Sequence, residues 1–382
     1  DAAILYRSNA QSRELEDALL RVGMGYRIYG GHRFYERLEI KNALSYLRLL
    51  VNRHDDTAVE RIINVPTRGI GGQTLEILRT VARTEDLSLW AAAQKCLSHG
   101  LMASRAATAV ARFIELIDSF DEECASLALA KKVEHIVTHS GLIPHHEKEG
   151  GEKAAARIEN LQELVNAAGS FDELDPDAEA MDIESREFLA AFLDKASLDA
   201  GDAQASESED AVQLMTLHSA KGLEFKLVFL AGMEEGLFPH KMSMDGIAGL
   251  EEERRLCYVG ITRAMTKLYF THAESRRLHG EVNITRPSRF IREVPSELIE
   301  HVRIKSSISR PSAFYGRPAS NLVQEDIPDS GIALGSRVRH GKFGEGVVLN
   351  CEGHGANARV QVNFQDSGSK WLVLSYAKLE VV

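Results

Sequence analysis

Residues 212–264 read VQLMTLHSAKGLEFKLVFLAGMEEGLFPH, then KMSMDGIAGL, then EEERRLCYVGITRA. The run Val212–Leu217 is apolar and turns abruptly polar at His218-Ser219-Ala220-Lys221-Gly222. Leu227–Ala231 is a second buried-strand candidate. Three acids, Glu251 to Glu253, read as the start of a helix that carries Arg254, Arg255 and Arg263. A strand that ends in Thr216 and His218 places them where open α/β sheets bind ligands. Gly222 permits close backbone approach.

On spacing alone, Thr216–Gly222 reads equally well as a solvated polar turn. The full string TLHSAKGLEF, followed by VGITRA, is more specific. Together they resemble motifs V and VI of the UvrD/Rep/PcrA-type DNA helicases of superfamily 1. The resemblance implies that Glu224, with Gly222 beside it, meets the ribose of ATP. It puts Thr216, His218 and Lys221 in the loop that meets the backbone of single-stranded DNA. Arg263 takes the place of an arginine finger, a role that suits guanidinium because it stays charged and grips phosphate oxygens in pairs.

The pattern extends on both sides of this stretch. Ala3–Arg7 is a strand candidate, Ser12–Val22 carries leucines at helical spacing, and Tyr26–Tyr29 is a further strand ending at Gly30-Gly31. From Glu39 helical periodicity dominates to about residue 200, with breaks expected at Pro66–Gly72, Gly141–Pro144 and Gly150-Gly151. Strand signals return at Val212 and persist through Lys267–His272. The simplest account is an α/β layer interrupted by a helical insertion, and the resemblance makes that layer a RecA-like motor domain. The expected boundaries are 1–36 and 211–300 for the motor, 37–210 for an all-helical inserted domain, 301–332 for a flexible linker and 333–382 for a small barrel. The tail alternates with period 2, with Gly341, Gly344, Gly346, Gly353 and Gly368 expected in the turns between short strands; RVRHGKFGEGVV resembles the Tudor-like domain of UvrD helicases. Its Phe343, Phe364, Trp371 and Tyr376 read as barrel filling.

Length and composition suit two or three globular domains, with 382 residues and 44% hydrophobic residues. No run is apolar enough for a membrane helix, and the chain opens DAAILYRSNAQ without a signal-peptide pattern. The net charge of −11 is local: between Phe171 and Asp210 there are 14 acids against Arg186 and Lys195, leaving the remainder near +1. Nucleic-acid partners are therefore not excluded. Cys96, Cys124, Cys257 and Cys351 are scattered, which fits a reducing cytoplasm and argues against a zinc site. His145-His146 reads as surface, so no metal ligand is expected.

Two further segments complete the resemblance. GGHRFYERLEIK, Gly30–Lys41, resembles the family's exit from the α/β layer and reads physically either as a capped helix start with exposed ion pairs or as a direct ligand contact. In Thr67–Thr74, TRGIGGQT, glycines precede a helix whose N–H groups can approach phosphate. Ile70 would anchor that loop and Arg68 add charge. By resemblance, Arg68, Gly69, Ile70 and Gly71 grip duplex DNA.

No Gly-x-x-x-x-Gly-Lys-[Ser/Thr] phosphate loop is found in this sequence. The resemblance therefore implies the C-terminal half of a helicase, whose own N-terminal motor domain would supply that loop and the Mg²⁺ ligands. The intact protein is expected to use ATP and Mg²⁺, move 3′ to 5′ on single-stranded DNA and unwind duplex or junction DNA in repair. RNA polymerase and repair proteins are the partners implied for the tail. A non-catalytic DNA-binding module and a helicase–nuclease subunit are the other classes that share these strings.

Overall fold

The computed structural model describes residues 1–174, 185–201, 210–244, 246–278, 281–302, 337–340, 343–352, 359–364, 368–373 and 379–381. The chain divides into two compact units, residues 1–302 and 303–382.

The first unit is built on five parallel strands. They are β1 (Ala2–Tyr6), β2 (Tyr26–Ile28), β3 (Val212–Thr216), β4 (Phe225–Leu230) and β5 (Ala264–Phe270), in the spatial order β2-β3-β1-β4-β5. Parallel strands have both faces covered, which is why Leu214, Met215, Val228 and Leu230 are all buried. β2 and β3 are direct neighbours, Tyr26 opposite Val212 and Ile28 opposite Leu214. Helix α1 (Ser12–Arg21) separates β1 from β2, and its Leu15, Leu19 and Leu20 pack against Tyr6, Ile28 and Leu214.

Between β2 and β3 the described residues form nine helices. These are α2 (Leu38–Val51), α3 (Asp56–Ile62), α4 (Gly72–Glu85), α5 (Leu89–Ser98), α6 (Ser104–Cys124), α7 (Leu129–His139), α8 (Leu142–Glu149), α9 (Gly151–Leu174) and α10 (Ser185–Gly201). Their apolar faces share one core, from Phe34 to Ala196, distinct from the clusters around the sheet. The helical stretch breaks at Gly141, whose φ is +84°, but Pro144 lies inside the first turn of α8. Its missing N–H has no acceptor to lose there.

After β4 come α11 (Ile247–Ile261), then β5, and a two-stranded hairpin of β6 (Ser275–Leu278) and β7 (Glu281–Ile284). A short helix α12 (Arg289–Glu293) closes the unit. Two expectations need correcting here. α11 begins at Ile247, so Glu251–Glu253 lie within it rather than at its start. Arg263 is not on the helix; it sits in the turn between α11 and β5. Arg286–Phe290 is structural: Pro287 bridges to Glu234, Arg289 pairs with Glu235, and Phe290 packs edge-on to Phe238.

The segment Gly30–Lys41 also differs from its sequence reading. Arg33, Arg37 and Glu39 are all buried, not exposed ion pairs. Arg37 donates to the Asn9 carbonyl at 2.8 Å, to Asn160 Oδ1 at 2.9 Å and to Ser12 Oγ at 2.6 Å. Burial pulls its pKa down, yet these acceptors satisfy the guanidinium, as a buried charge requires.

The second unit is one antiparallel sheet of β8 (Arg337–His340), β9 (Gly344–Glu352), β10 (Arg359–Phe364), β11 (Gly368–Val373) and β12 (Glu380–Val381), in the order β11-β10-β9-β8-β12. Val338, Val348, Val360, Val362 and Phe364 form its core, with Phe343 packed against them. Gly344 and Gly346 lie inside β9 rather than in turns. Tyr376, the side chain of Trp371, residues 175–184 and 202–209 of the acidic segment and residues 303–332 of the expected linker lie outside the described residues. Among the described residues, no helix is long and apolar enough to cross a membrane.

Candidate functional site

Thr216 ends β3 beside Tyr6, the end of β1, so both point toward the carboxyl edge of the sheet. A cavity of about 490 Å³ opens at that edge. Arg7, Thr216 and His218 line it from the strand ends, Lys153 and Glu159 from α9, and His240 from the loop after β4. Desolvation, together with the Arg7 guanidinium, holds the His218 pKa below the ordinary histidine value. Thr216 Oγ1 lies 3.0 Å from Ser219 Oγ, which shapes the turn, and Lys221 is exposed.

Glu253 organises the same edge. Its carboxylate accepts from Arg7 Nε at 3.0 Å, Arg7 Nη2 at 2.8 Å, the His240 N–H at 3.0 Å and Ser243 Oγ at 3.1 Å. Burial alone would raise its pKa, but these hydrogen bonds and the Arg7 charge hold it below the usual carboxylate value. His240 Nε2 lies 2.8 Å from Glu159, which also accepts from Ser8 Oγ. Helix α9 is thereby tied to the sheet edge by Glu159, and one turn on by Glu163, which accepts from Arg13 Nε at 2.7 Å.

Glu224 and Arg263 lie at the opposite edge. They immediately precede Phe225 and Ala264, the paired first residues of β4 and β5. Glu224 is exposed and has no side-chain partner among the described residues. Arg263 donates from Nε to the Val259 carbonyl at 3.0 Å, from Nη1 to the Leu223 carbonyl at 2.8 Å and from Nη2 to Thr262 Oγ1 at 3.0 Å. A guanidinium has five N–H donors, so one on each terminal nitrogen stays free. That pair is the fork which binds two phosphate oxygens together. Residues 217–224 thus run from one edge of the sheet to the other, roughly 20 Å for a six-residue strand at about 3.3 Å per residue. Leu217 and Ala220 are buried along the way, and Gly222 takes a φ of +88° that other residues resist.

The loop before α4 forms a third surface. Ile70 is buried and its N–H bonds to Asn64 Oδ1 at 3.2 Å, so it anchors the loop as expected. Gly69 has a φ of +80° with open space around its Cα. Gly71 caps α4 without any side-chain bond, which leaves the helix N–H groups accessible. Arg68 lines the groove beside this loop, and its guanidinium is already bonded. Its guanidinium donates to the carbonyls of Ile62 at 2.9 Å, Pro66 at 3.2 Å and Ser140 at 3.2 Å, and packs over Tyr46 and Phe113. It is a staple under the loop. The free charge beside Gly69 comes from Arg105 and Arg112, which line the same groove of about 640 Å³ with Thr108. Both arginines are exposed, and neither has a partner among the described residues.

Residues 1–275 match the family described as UvrD-like helicase C-terminal domain, and residues 334–380 match the PcrA/UvrD tudor domain. The chain belongs to the UvrD-like helicase family. It is 54% identical over its whole length to DNA helicase II of Escherichia coli (strain K12), covering 52% of that protein. It is 38% identical to the ATP-dependent DNA helicase PcrA of Bacillus subtilis (strain 168), again covering all of this chain and 52% of the relative. The chain spans about half the length of the curated relatives it matches.

In this UvrD-like chain the sequence strings locate Thr216, His218, Lys221, Gly222, Glu224 and Arg263, but not their division between two edges. Arg7, Glu253, Glu159 and His240 were missed because their partners lie far away in sequence. Arg105 and Arg112 carried a legible signal: the ten residues Ser104–Phe113 contain two arginines two turns apart and no acid, in an acidic chain. Arg254 and Arg255 are surface pairs, with Glu293 and Glu252 respectively.

Proposed function

We infer that the chain supplies the second RecA-like motor domain of an ATP-dependent DNA helicase, within a longer protein. The motor comprises residues 1–36 and 211–300. Residues 37–210 are an inserted all-helical domain, 301–332 a linker and 333–382 a Tudor-like barrel. The separate helical core and the pairing of β2 with β3 across the whole insertion support that division.

The observation that carries the reading is the span of residues 217–224 across the sheet. At one end Thr216, His218 and Lys221 meet single-stranded DNA in the cavity beside Arg7. At the other end Glu224 accepts from the ribose of ATP, and Arg263 turns its free fork to the γ-phosphate, neutralising charge as the bond to the leaving group breaks. Mg²⁺ and the other phosphates are held by the companion N-terminal motor domain. Closure of the cleft between the motor domains then shifts the DNA end, giving 3′-to-5′ movement. Gly69–Gly71 and the N-terminus of α4 bind duplex or junction DNA, with Arg105 and Arg112 beside them as phosphate contacts. The relatives named DNA helicases support this assignment. In repair, a cytoplasmic enzyme of this kind recruits RNA polymerase or repair proteins through its tail.

Steady-state ATPase of the intact protein on single-stranded DNA tests the two ends separately. His218→Ala with Lys221→Ala should raise the DNA concentration for half-maximal rate, and Arg263→Ala should lower the maximal rate. If the two effects are exchanged, the assignment of the edges is lost. Deleting residues 335–382 should remove RNA polymerase pull-down and spare unwinding; the reverse outcome assigns the tail to the motor.

A further inference from the structure

We propose that His145, His146 and Glu149 form a binding site for one zinc-class transition-metal ion on α8, at the edge of the helical block. Sequence alone placed this histidine pair on the surface with no further ligand. The structure buries His146 and brings Glu149 beside the pair. His146 is 4% exposed, and Glu149 lies one turn on, at the end of the same helix. These three residues are the one group of three or more His, Cys, Asp and Glu side chains among the described residues whose donor atoms converge, all within 4.8 Å.

The spacings suit a metal. His146 Nδ1 lies 3.2 Å from Glu149 Oε2, and His145 Nε2 lies 3.7 Å from Glu149 Oε1. A tetrahedral ion with bonds of about 2.0–2.1 Å separates its donors by roughly 3.4 Å. Two imidazoles and one carboxylate form a nitrogen-rich set that selects zinc-class ions over calcium or magnesium. The fourth position faces a cavity of about 480 Å³, lined by all three ligands with Asn42, Thr57 and Arg61, which leaves room for water. The other ring nitrogen of His146, Nε2, is buried without a hydrogen-bond partner. With Nδ1 on the ion this nitrogen carries the ring proton, a buried donor without an acceptor that lowers the affinity the site can reach. Here the ring is held by packing and directs Nδ1 at the carboxylate.

One feature of the surroundings opposes the ion. Arg157, also lining the cavity, donates from Nη1 to Glu149 Oε2. Guanidinium and metal therefore compete for one carboxylate, and the metal exchanges the Arg157–Glu149 pair for its own bond. Removing the guanidinium should tighten metal binding.

Calorimetric titration of ZnCl₂ into the untagged, chelator-stripped protein tests the site. One equivalent should bind. His145→Ala and Glu149→Gln, both at partly exposed positions that keep the fold by circular dichroism, should each weaken it about 10-fold or more, the scale on which metal sites respond to altered shells. Arg157→Gln should strengthen it, and His139→Ala should leave it alone. Co²⁺ in place of Zn²⁺ should give the visible d–d bands of a tetrahedral nitrogen–oxygen set. No heat of binding, or binding insensitive to His145→Ala and Glu149→Gln, overturns the proposal. Loss in His139→Ala instead moves the ion to another histidine pair and overturns it equally.

Discussion

Arg263 donates a 2.8 Å hydrogen bond from Nη1 to the carbonyl of Leu223, the residue immediately before Glu224. The return bond runs from the Phe225 N–H to the Arg263 carbonyl at 2.9 Å. These two bonds lock the end of the 217–224 connection to the turn after α11. In the proposed reading, a displacement of that connection at its Thr216–His218 end reaches the Arg263 guanidinium through these bonds. Coupling between two ligands needs such a shared element with more than one arrangement.

In the intact protein, Arg263→Ala should lower the kcat of ATP hydrolysis by about 10³-fold, the scale of an arginine finger. Affinity for single-stranded DNA should barely move, because the residue lies at the opposite edge of the sheet. Glu224→Ala should instead raise KM for ATP, since a ribose contact exists before and during phosphoryl transfer. Rapid-quench and equilibrium binding measurements separate the two. A collapse of DNA affinity in Arg263→Ala with intact turnover contradicts the assignment.

Gly260 sits where α11 crosses the sheet. A Cβ there would fall 2.6 Å from Leu217 Cδ2 and 2.9 Å from Leu230 Cδ2. Gly260→Ala should therefore push α11 off β3 and β4, at a cost of about 1–3 kcal/mol for overpacking. Because Arg263 follows three residues later, ATPase should fall further than the lowered Tm accounts for. Leu230→Ala in the same background, which removes the Leu230 contacts and leaves the one with Leu217, should restore part of both.

How much of this was legible follows the range of each interaction. The parallel layer, the helical stretch and the short strands of the tail were readable because their apolar periodicity is local. Strand ends shifted by up to three residues, as with β5, which starts at Ala264 rather than Lys267. Arg263 was read onto the helix because a turn of two residues leaves no periodic mark. Arg68 was read as added charge, and its bonding beneath the loop depends on Tyr46, Phe113 and Ser140, which only the fold assembles. The network of Arg7 with Glu253 spans 246 positions, beyond any local signal. His146 was misplaced for the same reason, since its burial depends on what α8 packs against.

Arg68 should separate from Arg105 and Arg112 by experiment. Arg68→Ala removes the guanidinium bonds to the carbonyls of Ile62, Pro66 and Ser140 and should cost about 1–3 kcal/mol of stability. Arg105→Ala and Arg112→Ala, both exposed and unpaired, should leave Tm unchanged while weakening duplex binding. Each should reduce the salt dependence of duplex affinity by about one unit of slope. Binding of single-stranded DNA should be spared. Equal losses on single and double strands would place these arginines outside the duplex surface.

Glu253 gives a pH dependence whose sign is fixed. Its folded pKa lies below the ordinary value because Arg7, the His240 N–H and Ser243 outweigh its burial. A carboxylate with a depressed folded pKa contributes stability that is fully present above its unfolded pKa of about 4.3 and fades as pH falls through the folded one. The Tm difference between the protein and its Glu253→Gln variant should thus be largest at neutral pH and shrink below about pH 4. Glutamine keeps the shape and can still accept one hydrogen bond, so Arg7 is left short of its anionic partner rather than without any. Arg7→Gln should flatten the same acid limb, because without the guanidinium the Glu253 pKa returns upward. If Glu253→Gln loses the same stability well below pH 4 as at pH 7, the carboxylate is not held charged by this network.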